Sequence, residues 1–264
     1  MSFDISRDER GGYAVMRDGH PQSYVDLEDP GLLTFEYVQH MAMALDVLAP
    51  GRLRVTHVGG AGLSLPRYVE HTRPGSAQIV LEPDVELTAA VRKKVPLPRR
   101  HAIRVRAIDG LAGVSALRDA SADVIVVDAF EGGRVPGELL GSAFTEQVSR
   151  VLVPGGLLAL NTCDEPGLQH ARAVVATLAA VFPQVGLIAL NEVLNRRRFG
   201  NLVVLASHQT LHESALLRRA ASAAFPTKFL GTTATARWLG GARAFGPTGI
   251  RSPVPPDGES WLRI

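Results

Sequence analysis

From residue 52 onward, short aliphatic runs alternate with stretches whose apolar residues recur at helical spacing. The runs predict strands at 53–58, 78–82, 102–107, 123–128 and 156–161. The segments at 63–71, 84–94 and 138–152 carry helical patterns. Pro66 falls in the first turn of its helix, where a missing N–H is tolerated, and Asp84 is placed to cap the next. Such alternation builds βαβ units, hence a mostly parallel sheet with helices on both faces. The predicted fold class is α/β, a Rossmann-like doubly wound sheet.

The pattern changes at both ends. Two short runs at 11–16 and 22–27 flank Arg17-Asp18-Gly19-His20, a turn signal, and predict a small N-terminal β-hairpin. Leu33, Tyr37, Met41, Leu45 and Leu48 predict an amphipathic helix over 33–49, stopped by Pro50-Gly51. Beyond a helix at 168–182, strands at 185–191 and 201–207 flank Asn195-Arg196-Arg197-Arg198 and read as an antiparallel C-terminal edge pair. A helix at 211–223 follows. From 226 the chain is rich in Gly, Pro and Thr and is expected to wrap the surface. The expected organisation is a hairpin region (1–32), a nucleoside-binding catalytic domain (33–225) and a surface tail (226–264).

In an open parallel sheet, ligands bind beyond the carboxyl ends of the strands. The first strand ends in Gly59-Gly60-Ala61-Gly62, and the second in Glu82, with Asp84 just beyond. Glycines let the backbone approach a ligand, and a carboxylate at the next strand tip can accept hydrogen bonds from both ribose hydroxyls. The third strand leads to Asp109-Gly110, the fourth to Asp128-Ala129-Phe130-Glu131, and the fifth to Asn161 and Asp164. Acidic groups at four strand ends suit a ligand with hydroxyls, an amino-bearing base and a positive charge. Each carboxylate has a plainer reading as a helix cap. His57 lies within the first strand and reads as a packed core histidine. The run Arg196-Arg197-Arg198 reads as a solvated loop.

Composition narrows the classes. Hydrophobic residues make up 46% of the 264 and charged residues 20%, an ordinary globular balance. A net charge of +2 gives no argument for nucleic acid or a membrane surface. The single cysteine, Cys163, excludes a disulfide framework and a cysteine-rich metal site. No apolar run reaches spanning length, there is no Walker lysine, and the polar start Met1-Ser2-Phe3-Asp4 does not read as a signal peptide. The expectation is a cytoplasmic protein without a metal.

These motifs together resemble the spermidine synthase family, the polyamine aminopropyltransferases, built on the class I methyltransferase fold. The resemblance spans about residues 12 to 207. Asp18-Gly19-His20-Pro21-Gln22 is similar to the family's Asp-Gly-x-x-Gln hairpin, and Phe35-Glu36-Tyr37 to the helix that supplies a tyrosine to the polyamine pocket. Gly59-Gly60-Ala61-Gly62 through Arg67-Tyr68-Val69 resembles its glycine loop and following helix. Glu82-Pro83-Asp84 fits the acidic ribose motif, and Asp109-Gly110 the Asp-Gly that binds the adenine amino group. Asp128-Ala129-Phe130-Glu131 resembles the family's Asp-Ser-Ser-Asp. Residues 134–144 resemble its gate loop. Three departures stand out. Gly62 occupies the position of the aspartate that normally holds the donor's aminopropyl ammonium. Leu63 and Ser64 replace the last two loop glycines, and Glu131 is one methylene longer than the usual acid.

The resemblance implies a transferase acting on a sulfonium nucleoside, S-adenosylmethionine or its decarboxylated form, and on a small-molecule amine acceptor. Asp128, Glu131 and Tyr37 are the implied catalytic residues. Gln22, Gly59, Gly60, Gly62, Glu82, Asp84, Asp109, Gly110 and Asp128 are the implied nucleoside-binding residues. The family analogy allows a homodimer. Aminopropyl transfer stands first, and methyl transfer is the alternative that Gly62 favours. A non-catalytic nucleoside-binding protein is a second alternative. If another acid replaces the one missing at Gly62, Glu131 and Asp164 are the candidates.

Overall fold

The computed structural model describes residues 3–17 and 20–256, His20 by its backbone alone. Three antiparallel strands open it: β1 (Phe3–Arg7), β2 (Tyr13–Arg17) and β3 (His20–Val25). The predicted hairpin is the β2–β3 half of this sheet, and its turn residues Asp18 and Gly19 lie outside the described residues. β1 escaped prediction because only Phe3 and Ile5 of its five residues are apolar. Ile5, Val15 and Val25 form one buried face.

Helix α1 (Glu36–Asp46) leads to β4 (Arg54–Val58), α2 (Ser64–Thr72), β5 (Ala77–Leu81), α3 (Val85–Lys94), β6 (Ile103–Arg106), α4 (Gly110–Ser115) and β7 (Ala122–Val127). Then come α5 (Ser142–Val151), β8 (Leu152–Asp164), α6 (Gln169–Ala179), β9 (Gln184–Leu190), the short α7 (Asn191–Leu194) and β10 (Gly200–Ser207). Helix α8 (Glu213–Ala221) precedes β11 (Thr227–Leu230) and α9 (Thr232–Leu239). The N-terminal sheet packs Ile5, Val15 and Val25 on Leu87, Val91 and Val95 of and just after α3.

The main sheet has the order β11-β9-β10-β8-β7-β4-β5-β6. Strands β6, β5, β4, β7 and β8 run parallel; β10 and β9 are antiparallel to their neighbours. The order reverses between β4 and β7, so their carboxyl ends diverge there and leave a crevice. Alternation along the strands supplies both cores. Ile125 and Val127 join one cluster with Phe144 of α5 and Val174 of α6, while Val124 and Val126 join another with Met41 of α1 and Val69 of α2.

Three expectations need correction. The predicted helix over 138–152 divides into a 3-10 turn, Gly137–Leu139, and α5, with Gly141 extended between them. The C-terminal pair is not the edge, because β11 pairs with β9 outside it. The segment after 226 is therefore more than a wrap: it extends the sheet and adds α9. Among the described residues no helix is long and apolar enough to cross a membrane.

Helix α1 is tied down at its C-terminal end and through the turn that follows it. The Arg73 guanidinium, just past α2, donates to the carbonyls of Leu45, Leu48, Ala49 and Gly51 at 2.7–3.1 Å. Charge-assisted bonds of this kind contribute about 1.5–3 kcal/mol. Arg73→Ala should lower the unfolding free energy by about that amount. A denaturation midpoint indistinguishable from the wild type would show that the α1 terminus is held otherwise.

Candidate functional site

Strand β4 ends at Val58 and the chain turns sharply. Gly59 has φ of 83°, and a Cβ there would stand 2.3 Å from the Asp128 carbonyl oxygen and 2.8 Å from Ala129 Cα. Only glycine allows the ends of β4 and β7 to lie this close. Gly60 is equally constrained, since its Cβ would meet Val80 at 2.6 Å. Leu63 adopts φ of 62°, a left-handed conformation that glycine would take freely. Its buried side chain, packed with Val80 and Ile103, offsets that strain.

Glu82 follows β5 and reaches back to this loop. One carboxylate oxygen accepts from Gly60 N at 3.1 Å and Ala61 N at 3.4 Å, and the other from Asp84 N at 3.0 Å. Asp84 caps α3 by accepting from Leu87 N, and pairs with Arg17 at 3.0 Å. Asp109 caps α4 by accepting from Ala112 N at 2.8 Å. The capping reading therefore holds for both Asp84 and Asp109, and both also face the crevice. Gly110 must be glycine, because a Cβ would lie 2.3 Å from Val58.

Asp128 stands at the end of β7, beside the switch point. Its Oδ1 accepts from Asn161 Nδ2 at 3.0 Å, and Asn161 is wholly buried on β8. Burial pushes the Asp128 carboxyl up to about 6, against the lowering effect of the Asn161 bond. Tyr37 stacks on Phe35 with ring centroids 5.8 Å apart. Burial, then the Asp128 charge, hold its hydroxyl well above the usual tyrosine range. His57 is buried, hydrogen-bonded to Gln78 at 2.9 Å, and pushed by burial down to about 4. It is neutral at physiological pH, as a packed histidine should be.

These groups line one cleft of about 1370 Å³ at the carboxyl ends of the strands. Gln22, Tyr37, Gly59, Gly60, Glu82, Asp84, Asp109, Gly110, Asp128 and Glu131 all reach it. Two expected residues do not. Gly62 faces the N-terminal sheet, where a Cβ would lie 2.7 Å from Ser23 Oγ. Asp164 is buried and accepts from Ala171 N and Glu165 N, so it serves α6 and not the cleft. The volume exceeds the roughly 300–1,000 Å³ of a single small-molecule site. That is room for more than one small molecule.

Charge is segregated. Nine carboxylates line the cleft against three guanidiniums, those of Arg10, Arg17 and Arg198, although the whole chain carries +2. Such a cleft attracts cations. Sequence reasoning missed Arg17, Glu192 and Arg198. Arg198 is the half-buried member of the arginine run and lies 3.8 Å from Glu192, whereas Arg196 and Arg197 are exposed as expected. A run of three like charges gives no sign of which one turns inward. Among the described residues no group of three or more His, Cys, Asp or Glu is arranged to hold a metal.

Comparison with known proteins adds to this geometry. No family model matches the chain. The polyamine aminopropyltransferase of Chromobacterium violaceum is 27% identical over 190 residues, which are 72% of this chain and 69% of that protein. A probable spermidine synthase from Corynebacterium glutamicum superposes with a TM-score of 0.87 at 28% identity, covering 94% of this chain and 93% of that one. A spermidine synthase in complex with the transition-state analogue AdoDATO shares the fold at 16% identity, with a TM-score of 0.61 over 90% of this chain and 81% of that one.

Asp128 should titrate near 6 by carboxyl-carbon NMR, and Asn161→Ala should move it higher by removing the bond that lowers it. The fold favours the protonated form. This group's contribution to stability is therefore present below its unfolded value near 4 and is lost as pH rises through about 6. A titration in the ordinary aspartate range would remove the burial argument.

Proposed function

We propose that this chain, a member of the spermidine synthase family and a transferase, moves an aminopropyl group from a decarboxylated sulfonium nucleoside to a small amine. The observation that carries this reading is the acidic cleft at the β4–β7 switch point, with a half-buried, raised aspartate at its centre. Both substrates are cations, and the cleft is built for cations.

The residues present fit such a nucleoside. Glu82 stands beside the glycine loop, and with three backbone N–H groups already on its two oxygens it retains one acceptor site, on the oxygen bonded to Asp84 N, for a ribose hydroxyl. Asp109 faces the same cleft where a base amino group would lie. Asp128 draws the acceptor's ammonium and takes its proton, directly or through water. The neutral nitrogen then forms a bond to the carbon beside sulfur while the carbon–sulfur bond breaks, leaving a thioether nucleoside. This chemistry needs little covalent help from the protein. It needs a deprotonated amine, in-line geometry and exclusion of water. A carboxyl near 6 is ionised at neutral pH yet basic enough to accept a proton. Tyr37, across from Asp128, orients the same substrate.

The direct test incubates the protein with S-adenosylmethionine and its decarboxylated form and a panel of amines, with mass detection of product. Aminopropyl adducts support the reading. Methyl adducts alone would replace it with methyl transfer, and binding without product would leave a nucleoside-binding protein.

Two substitutions test the assignments. Asp128→Asn should lower turnover by roughly 10²–10⁴ while nucleoside affinity changes little; near-normal turnover would exclude it as the base. Glu82→Ala should weaken 5′-methylthioadenosine binding about tenfold or more, since a charged acceptor contributes about 1.5–3 kcal/mol. Unchanged calorimetric affinity in a folded variant would take Glu82 out of the site.

A further inference from the structure

We propose that the C-terminal segment 246–256 is part of the active site, with Arg251 a positioning residue that holds Glu131 at the rim of the cleft. The proposal rests on the transferase reading above, because it assigns Glu131 to the acceptor's side of that cleft.

The segment lies directly on the loop that follows β7. Gly249 N donates to Gly137 O at 3.0 Å, Ser142 N to Gly246 O at 2.9 Å, and Ser252 N to Val135 O at 3.2 Å. Val135 N donates to Ser252 Oγ at 2.8 Å, and Arg134 Nε to Ser252 O at 2.5 Å. Ser252 is completely buried, with its hydroxyl 3.2 Å from Cys163 Sγ. Glycines on both strands of the contact make this approach possible. A Cβ at Gly137 would stand 2.4 Å from Gly249 O, one at Gly141 2.2 Å from Pro247 O, and one at Gly249 2.8 Å from Gly137 O. Backbone packed on backbone in this way fixes the loop in one place.

The cleft feels the segment at two points. Pro255 forms part of its lining, against Gly133. Arg251 pairs with the Glu131 carboxylate. Glu131 begins a tight turn through Gly132 and Gly133, both at positive φ, closed by reciprocal backbone bonds between Glu131 and Arg134. Its side chain is 61% exposed. A long carboxylate on an exposed diglycine turn has many rotamers, and its guanidinium partner selects one. An exposed pair adds little to global stability. Its effect is therefore local: one carboxylate held in place, with lone pairs left to accept from an ammonium.

Arg251→Ala should raise the acceptor KM about three- to tenfold, the cost of ordering one rotamer-rich side chain on binding. Turnover and 5′-methylthioadenosine affinity should stay within about twofold, and Arg251→Lys should recover part of the loss. An acceptor KM that is unchanged or lower in Arg251→Ala would overturn the positioning role. Gly249→Val, which forces the segment off the loop while keeping both charged residues, should lose hydrogen-exchange protection across 133–142 in the free protein. Full protection there, in a folded variant, would overturn the placement of the segment. If the wild type transfers nothing to any amine, the transferase reading fails, and the exchange experiment still decides whether the segment holds the loop.

Discussion

Everything at this site depends on how closely two strand ends can part. β4 and β7 are neighbours in the sheet, and their chains leave in opposite directions after Val58 and Val127. Gly59 must bend away while its backbone rests on the Asp128 carbonyl, a contact with no room for a Cβ. The sharp turn aims the amides of Gly60 and Ala61 at Glu82. It also leaves Asp128 at the bottom of an opening instead of under a loop. A larger residue at 59 would separate the strand ends and displace both carboxylates together.

The carboxylates have unequal surroundings, and their chemistry follows from that. Glu82 accepts from the backbone N–H groups of Gly60, Ala61 and Asp84, which hold it as a fixed acceptor. Asp84 and Asp109 each accept from a backbone N–H in the first turn of a helix, which fixes their carboxylates in place. Asp128 has one amide donor and otherwise faces burial, so its proton is held more tightly than usual. One cleft thus contains anchoring acids and one acid suited to exchanging a proton. Nine carboxylates against three guanidiniums leave the lining negative, so the field across the opening favours cations.

The loop after β7 shows how local sequence and distant sequence combine. Its glycines, 132, 133 and 137, allow tight turns but specify no position. Contacts from residues more than a hundred positions later supply it, through Ser252 and Gly249. Helix prediction over 138–152 failed at this point for the same reason. The apolar spacing of a helix is present, yet Gly141 is drawn out to an extended conformation where the C-terminal backbone crosses it.

Much of the architecture was legible in the chain itself. Short, mostly β-branched and aliphatic runs ended by glycine or acid mark β4, β5 and β7, because a strand buried on both faces carries mostly apolar side chains. Buried His57 and Gln78 are polar exceptions and satisfy each other. Glycine and acid at the strand tips marked Gly59, Glu82, Asp109 and Asp128, since those residue types answer to backbone geometry that is local. What depended on distant partners was not legible. β1 and β11 are short strands whose pairing partners define them. Gly62 looked like a cleft position until the N-terminal sheet claimed its open side through Ser23. Asp164 looked like a site acid until Ala171 of α6 and the neighbouring Glu165 amide took its two oxygens. Arg198 and Arg251 are two among many arginines, and only the packed chain decides which of them turns toward a carboxylate. Local sequence determines the conformations a segment can adopt; the direction a side chain faces is decided by what the rest of the fold brings against it.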